Sequence, residues 1–296
     1  MPTRKSGPSP TAPGHSWRTR TWYAEVALGL TAIALLWRYW AELPTWLAGA
    51  LIVIAMATLA DSALPVGALL LPPRIANRYA GLLAAAFGTV GTVYAVVAGF
   101  AVSSVWDTLQ ETQRVISHEA NALADLERMS KGFPVEVRRQ VVEAERTYGR
   151  LVVGEEWQLM ARNKSSTRAN AAFVEVWSVY TDMGPELRAS PLYDKSMDRL
   201  NELGNARRQR LLAAGEEVPS LMWVLLVIGS MAMLLLSYCF GVWKSWQIRL
   251  IVLSMSAMIA FTMFLVAALE GPFDGKVSLQ PDAITLVLSG MQQLEQ

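Results

Sequence analysis

Gly81-LLAAAFGTVGTVYAVVAGFAVSSV-Trp106 runs directly into Asp107-TLQETQRVISHEANALADLERMS-Lys131. The first part is apolar and free of charge; the second is charged and helical in pattern. No Gly or Pro stands between Gly99 and Gly132, so the residues mark no break. We read one helix over residues 77–131. About 50 residues at about 1.5 Å each reach roughly 75 Å, more than twice a bilayer core. The spacing therefore predicts a rod that crosses a membrane and continues into water.

Phasing the rod at about 100° per residue gives it two sides. One stripe is small, with Gly81, Ala85, Gly88, Thr92, Ala95, Gly99 and Ser103, and turns polar at Gln110, Arg114, Ser117 and Asn121. The opposite stripe is bulky, with Phe87, Val90, Tyr94, Ala98 and Val105, then Leu109, Ile116 and Leu123. Two readings stand side by side. The small stripe faces a water-filled path, which its polar continuation favours. Alternatively, it lets a neighbouring helix approach closely, and Trp106 interrupts the stripe.

The rest of the chain fits a membrane protein. Of 296 residues, 53% are hydrophobic and only 17% charged, below the quarter usual for soluble domains. A net charge of +1 argues against nucleic acid as a main partner. The one cysteine, Cys239, excludes an intramolecular disulfide, and two histidines leave little for imidazole chemistry. Residues 1–21 are a basic tail. Residues 22–40 read as a first span, because Trp37-Arg38-Tyr39-Trp40 is a poor signal-cleavage site.

Residues 46–71 form a second apolar run. Asp61 lies either at its mouth or within the membrane on an ion route, beside a helix loosened by Pro65 and Gly67. Residues 72–73 are Pro-Pro and close the run. The rod supplies the third span. Residues 221–240 and 248–269 supply two more, joined by a segment with Lys244 and Trp246 at the interface. Basic residues beside the short loops and those of the domain pull orientation in opposite directions, so it is left open.

Between the third and fourth spans lies a charged region with three helical segments, 135–163, 166–183 and 191–214. Val137, Val141, Tyr148, Val152 and Trp157 form the expected buried side of the first. Arg207, Arg208 and Arg210 are assigned to lipid headgroups, with a solvated helix end as the alternative. Glu155-Glu156 reads as helix surface. The expected architecture is all-α and multi-pass, with about five spans. Spans 1–3 occupy residues 22–105, a helical extramembrane domain 106–218, spans 4–5 residues 219–270, and a C-terminal tail 271–296. The tail is too short to span and is expected to form a surface helix.

No hydrolase or protease motif is present, so no catalytic residue is assigned and the chain is not read as an enzyme. The phosphate-loop-like Gly271-PFDG-Lys276 is one residue short and has Val277 where Ser or Thr is required. His118, Glu119 and Glu111 share a helix face but read as solvated charge rather than as a metal site. No metal or cofactor is expected.

Several stretches together resemble the bestrophin-like domain family of membrane proteins. These are VYAVVAGF at 93–100 with Trp106, HEANALADL at 118–126, and Tyr148 with EEWQLM at 155–160. RRQR at 207–210, PSLMW at 219–223 and PFDG at 272–275 complete the set. The resemblance implies kinship with oligomeric anion channels whose second span lines the pore, a role that falls here to the rod. Bestrophin pores narrow at bulky apolar side chains, whereas the stripe singled out here is small. No run of acids matches the bestrophin calcium clasp.

The first functional expectation is an oligomeric ion channel, with anions as the implied cargo, in the plasma or inner membrane. Its pathway candidates are Asp61, Gly88, Thr92, Ala95, Gly99, Ser103, Gln110 and Arg114. Its partners are the lipid bilayer, further copies of the chain and inorganic ions, with no nucleic acid. The alternative is a non-conducting membrane scaffold that presents the helical domain to a partner.

Overall fold

The computed structural model describes residues 16–39, 42–70, 78–240 and 246–293. Every described element is helical. The Pro-Pro pair at 72–73, Lys244 and most of the basic tail lie outside the described residues. The chain divides into two units, one of residues 1–97 with 225–264 and one of 98–224 with 265–296.

The first unit holds α1 (Ser16–Tyr39), α2 (Thr45–Leu70), the start of α3 (Ala80–Ser130), and most of α9 (Ser220–Tyr238) and α10 (Trp246–Leu269). α2 and α10 meet where Gly49 lacks a side chain. A Cβ there would stand 2.8 Å from the ring of Phe264. α3 meets α9 at Gly229, where a Cβ would stand 2.5 Å from Tyr94, whose hydroxyl lies 3.2 Å from Ser230 Oγ. Small residues thus set the closest helix approaches, as expected where lipid is as apolar as the protein. Among the described residues, α2, α3, α9 and α10 are long and apolar enough to cross a membrane. In α1 the described apolar stretch, Glu25–Leu36, is shorter than a span.

α3 is a single 51-residue helix, roughly 77 Å long. It stops at Gly132, where a Cβ would stand 2.6 Å from Leu192 Cδ2, and Pro134 opens the next helix. The second unit is built on the far part of α3. Around it lie α4 (Val135–Leu151), a π-helical turn (Val152–Glu156) and α5 (Trp157–Met160). They are followed by α6 (Thr167–Thr181), α7 (Pro185–Arg188), α8 (Pro191–Ala213) and α11 (Asp282–Gln293).

Ser166 caps α6 by accepting from Ala169 N at 3.1 Å, and Ser190 caps α8 by accepting from Tyr193 N at 3.2 Å. The core joins Ile116, Leu123 and Leu126 of α3 to Val141, Tyr148 and Val152 of the second segment. Val176 and Tyr180 of α6, Leu200 and Leu203 of α8, and Ile284 of α11 complete it.

One sequence expectation is corrected here. The tail helix α11 is not a surface helix: Ile284 is fully buried and Met291 nearly so, because one side of the helix is apolar and packs on α4. α2 runs to Leu70 through Pro65, over the apolar run read at 46–71.

Candidate ion pathway

The side of α3 turned into the protein is the bulky one. Ala98, Ala101, Val105, Leu109, Thr112, Ile116 and Leu123 are buried along it. The opposite side is open. Gly88, Thr92 and Ala95 are exposed in the first unit, and Gly99, Ser103, Gln110 and Arg114 in the second. A Cβ added at Gly88 or Gly99 would meet nothing within 4 Å. The phasing of the helix therefore follows its sequence, and among the described residues these positions of the small stripe are exposed.

The polar groups on this side are held locally. Thr92 Oγ1 donates to Gly88 O at 2.9 Å, and Ser103 Oγ donates to Asp107 Oδ2 at 3.4 Å. Arg114 pairs with Glu111 one turn away at 3.3 Å, with both side chains about two-thirds exposed at 67% and 66%. An exposed pair of this kind holds its charges loosely.

Bulky residues that the two-stripe reading left out also stand on the open side. Val93, Val96 and Phe100 are 60%, 54% and 69% exposed. Spaced three and four apart, they form a ridge beside Thr92, Gly99 and Ser103. The signal was present in VYAVVAGF, but attention to small residues passed over it. No residue of the most apolar 18-residue window of α3 is buried within the chain, against 39% for that of α2. That window is therefore left uncovered by the described residues of the chain.

Asp61 is not a free carboxylate. Its side chain is 5% exposed, and Arg249 of α10 donates from Nε to Oδ1 at 2.9 Å and from Nη2 to Oδ2. Arg249 also reaches Glu25 of α1 at 2.9 Å. A carboxylate this far from water is tolerated because a cation answers it. Arg249 thus ties α10 to α2 and α1, and Asp61, assigned to an ion route on sequence, stands in this ion pair.

Arg207 and Arg210 are likewise withdrawn from the membrane surface. Arg210 is fully buried, with Nε donating to Glu119 Oε2 at 2.5 Å and Nη2 donating to Glu119 Oε1 at 3.0 Å and to Glu156 Oε2 at 2.9 Å. Arg207 Nη2 donates to Glu156 Oε1 at 2.7 Å, with its guanidinium over the rings of Tyr148 and Phe173. The Tyr148 hydroxyl donates to Glu119. Two acids and two arginines thus neutralise one another inside the domain. Only Arg208 of the cluster is exposed, donating to Asn205 Oδ1 at 3.1 Å.

The acids come from places the sequence reading took for surface. Glu156 is inward four positions after buried Val152, and the π turn brings Trp157 inward beside it. Glu119 faces the core beside Ile116 and Leu123. Burial raises the Tyr148 hydroxyl well above its ordinary range, with Glu119 acting the same way. Burial works to lower Arg210, but Glu119 foremost, with Tyr148 and Glu156, more than offsets it and the net shift is upward.

A family model described as the bestrophin-like domain matches residues 54–284. Among solved structures, a bacterial bestrophin homologue from Klebsiella pneumoniae, phased by Zn-SAD, is 14% identical at a TM-score of 0.62. It covers 82% of this chain and 98% of its own. A point-substituted form of the same homologue, also 14% identical, aligns at a TM-score of 0.64 with the same coverage. No curated protein matches the chain.

Proposed function

This chain belongs to the bestrophin-like domain family, and from that premise we propose that it is an ion-channel subunit in the cell membrane. Several copies assemble around α3, and ions pass along its open side. The observation that carries this reading is that side itself: small and then polar, uncovered from Gly88 to Arg114, on a helix longer than a bilayer is thick. The other spans bury between 22% and 39% of their most apolar windows within the chain, and α3 buries none.

Thr92 and Ser103 place hydroxyls here that must turn from Gly88 O and Asp107 to donate to a passing anion, and Gly88 and Gly99 leave room for it. Val96 and Phe100 supply the apolar constriction, of the kind that gates by dewetting. Arg114, beyond the charge-free stretch, favours anions at the mouth. The ion is released unchanged, so no catalytic residue is required.

The test is flux through purified protein in liposomes. Chloride flux is expected, blocked by Gly99→Leu or Ser103→Leu with assembly retained, and raised by Phe100→Ala. Intact oligomers that pass neither chloride nor cations would reject the proposal.

A further inference from the structure

Residues 81–106 carry no charge, and the first charge to follow them on α3 is a carboxylate, Asp107. Asp107 is exposed and stands one turn after Ser103, whose Oγ donates to its Oδ2 at 3.4 Å. It therefore shares the open side of α3 with Gly99, Ser103 and Arg114. Among the described residues no cation pairs with it.

The next charges along the helix are Glu111 and Arg114, and these answer each other at 3.3 Å. Seen by an ion, that pair largely cancels. Asp107 is left as the uncompensated charge of the stretch, about 10 Å nearer the apolar segment than Arg114. The surroundings add to its sign. A cavity of about 370 Å³ beside Ser104 and Thr108 is walled by Glu216, Glu217 and Glu270, and no lysine or arginine lines it. Glu270 accepts from Val218 N and from Trp223 Nε1, both at 3.2 Å. Neutral donors hold a carboxylate in place without cancelling its charge.

We propose that Asp107 is a specificity-determining residue of the ion path: its carboxylate draws cations to the end of the charge-free stretch and holds anions back, so that the channel passes ions of both signs. The inference rests on the channel reading given above and limits the anion preference that Arg114 supplies. Carboxylates contributed by several copies favour cations in channels. A change of about one kT in the potential at that level multiplies cation occupancy by about 2.7 and divides anion occupancy by the same factor. The ratio of the two then moves about sevenfold. Asp107 also engages the Ser103 hydroxyl, which a passing anion would need as a donor.

The experiment uses the full chain in liposomes under a sodium chloride gradient at about 0.1 M, with the reversal potential as readout. Asp107→Asn removes the charge and keeps an acceptor for Ser103. It should raise the chloride-to-sodium permeability ratio about sevenfold, and Asp107→Glu should keep the wild-type value. Raising the salt to about 1 M should shrink the difference between wild type and Asp107→Asn, because screening then acts within about 3 Å. Asp198→Asn, at an exposed position of α8, removes a negative charge elsewhere and should leave the ratio unchanged.

An unchanged ratio in Asp107→Asn, or an equal rise in Asp198→Asn, overturns the role of Asp107 and leaves the channel reading standing. Intact wild-type oligomers without flux reject the channel reading, and the role of Asp107 with it. Should Asp107→Asn fail to assemble, Asp107→Ser decides by the same readout.

Discussion

Replacing Arg210 by Met removes one guanidinium and keeps most of the apolar volume. Glu119 then loses two charge-assisted hydrogen bonds and Glu156 loses one, in a site with no exposure on either side. Arg207 still answers Glu156 at 2.7 Å, so the uncompensated charge falls on Glu119, which keeps only the Tyr148 hydroxyl. Breaking a buried pair from one side costs about 3–5 kcal/mol, and the upper part of that range applies because three bonds are lost.

The assay is denaturant unfolding of the full chain in detergent, followed by tryptophan emission. Trp157 packs against Arg210 at 5.8 Å and reports on this place. Adding Glu119→Gln to Arg210→Met should restore a large share of the loss, since the amide carries no charge to strand. A loss below about 1 kcal/mol for Arg210→Met, or no recovery in the double variant, would refute the account of the core.

Gly229→Ala forces a Cβ to 2.5 Å from Tyr94 and should lower thermal stability by about 1–3 kcal/mol, with wild-type melting as the contrary result. Asp61→Asn should weaken the tie between α2 and α10 by roughly 1–3 kcal/mol, towards the lower figure because Arg249 is 48% exposed. The same variant should leave the reversal potential unchanged; a shift would return Asp61 to the ion path. Ser166→Ala removes the cap of α6 and its bond to Glu155 at 2.6 Å, and should cost about 1–2 kcal/mol in the same unfolding assay.

Local signals carried much of the fold. The length of α3 and its two sides follow from the absence of breakers and from period 3.6: the bulky side is buried from Ala98 on, and the small stripe is exposed from Gly81 to Arg114. What the sequence hid were the partners of charged residues. Arg210 meets Glu119 across 91 positions, and Arg249 meets Asp61 across 188. Periodicity carries no information about such pairings, so Arg207-Arg208-Gln209-Arg210 read as a surface patch when two of its arginines face inward.

Glu156 had a readable signal. Val141, Tyr148 and Val152 step by seven and four, and the next buried apolar residue, Trp157, comes five on, more than one α-turn. That step marks the π turn. The packing of α11 had no such signal, because a short amphipathic helix looks the same whether it covers its own domain or the membrane surface.

The π turn also bears on chain length. Val152–Glu156 holds one residue more than a plain α-turn requires. Shortening the segment at Gly154, where a Cβ would meet nothing within 4 Å, would leave the local surface unharmed. The wide turn would close to an ordinary α-turn, and the helix after it would keep most of its rotation toward Arg207, Arg210 and the core. Substitution and deletion at Gly154 should both leave that ion cluster standing: the surplus residue is slack that the turn takes up.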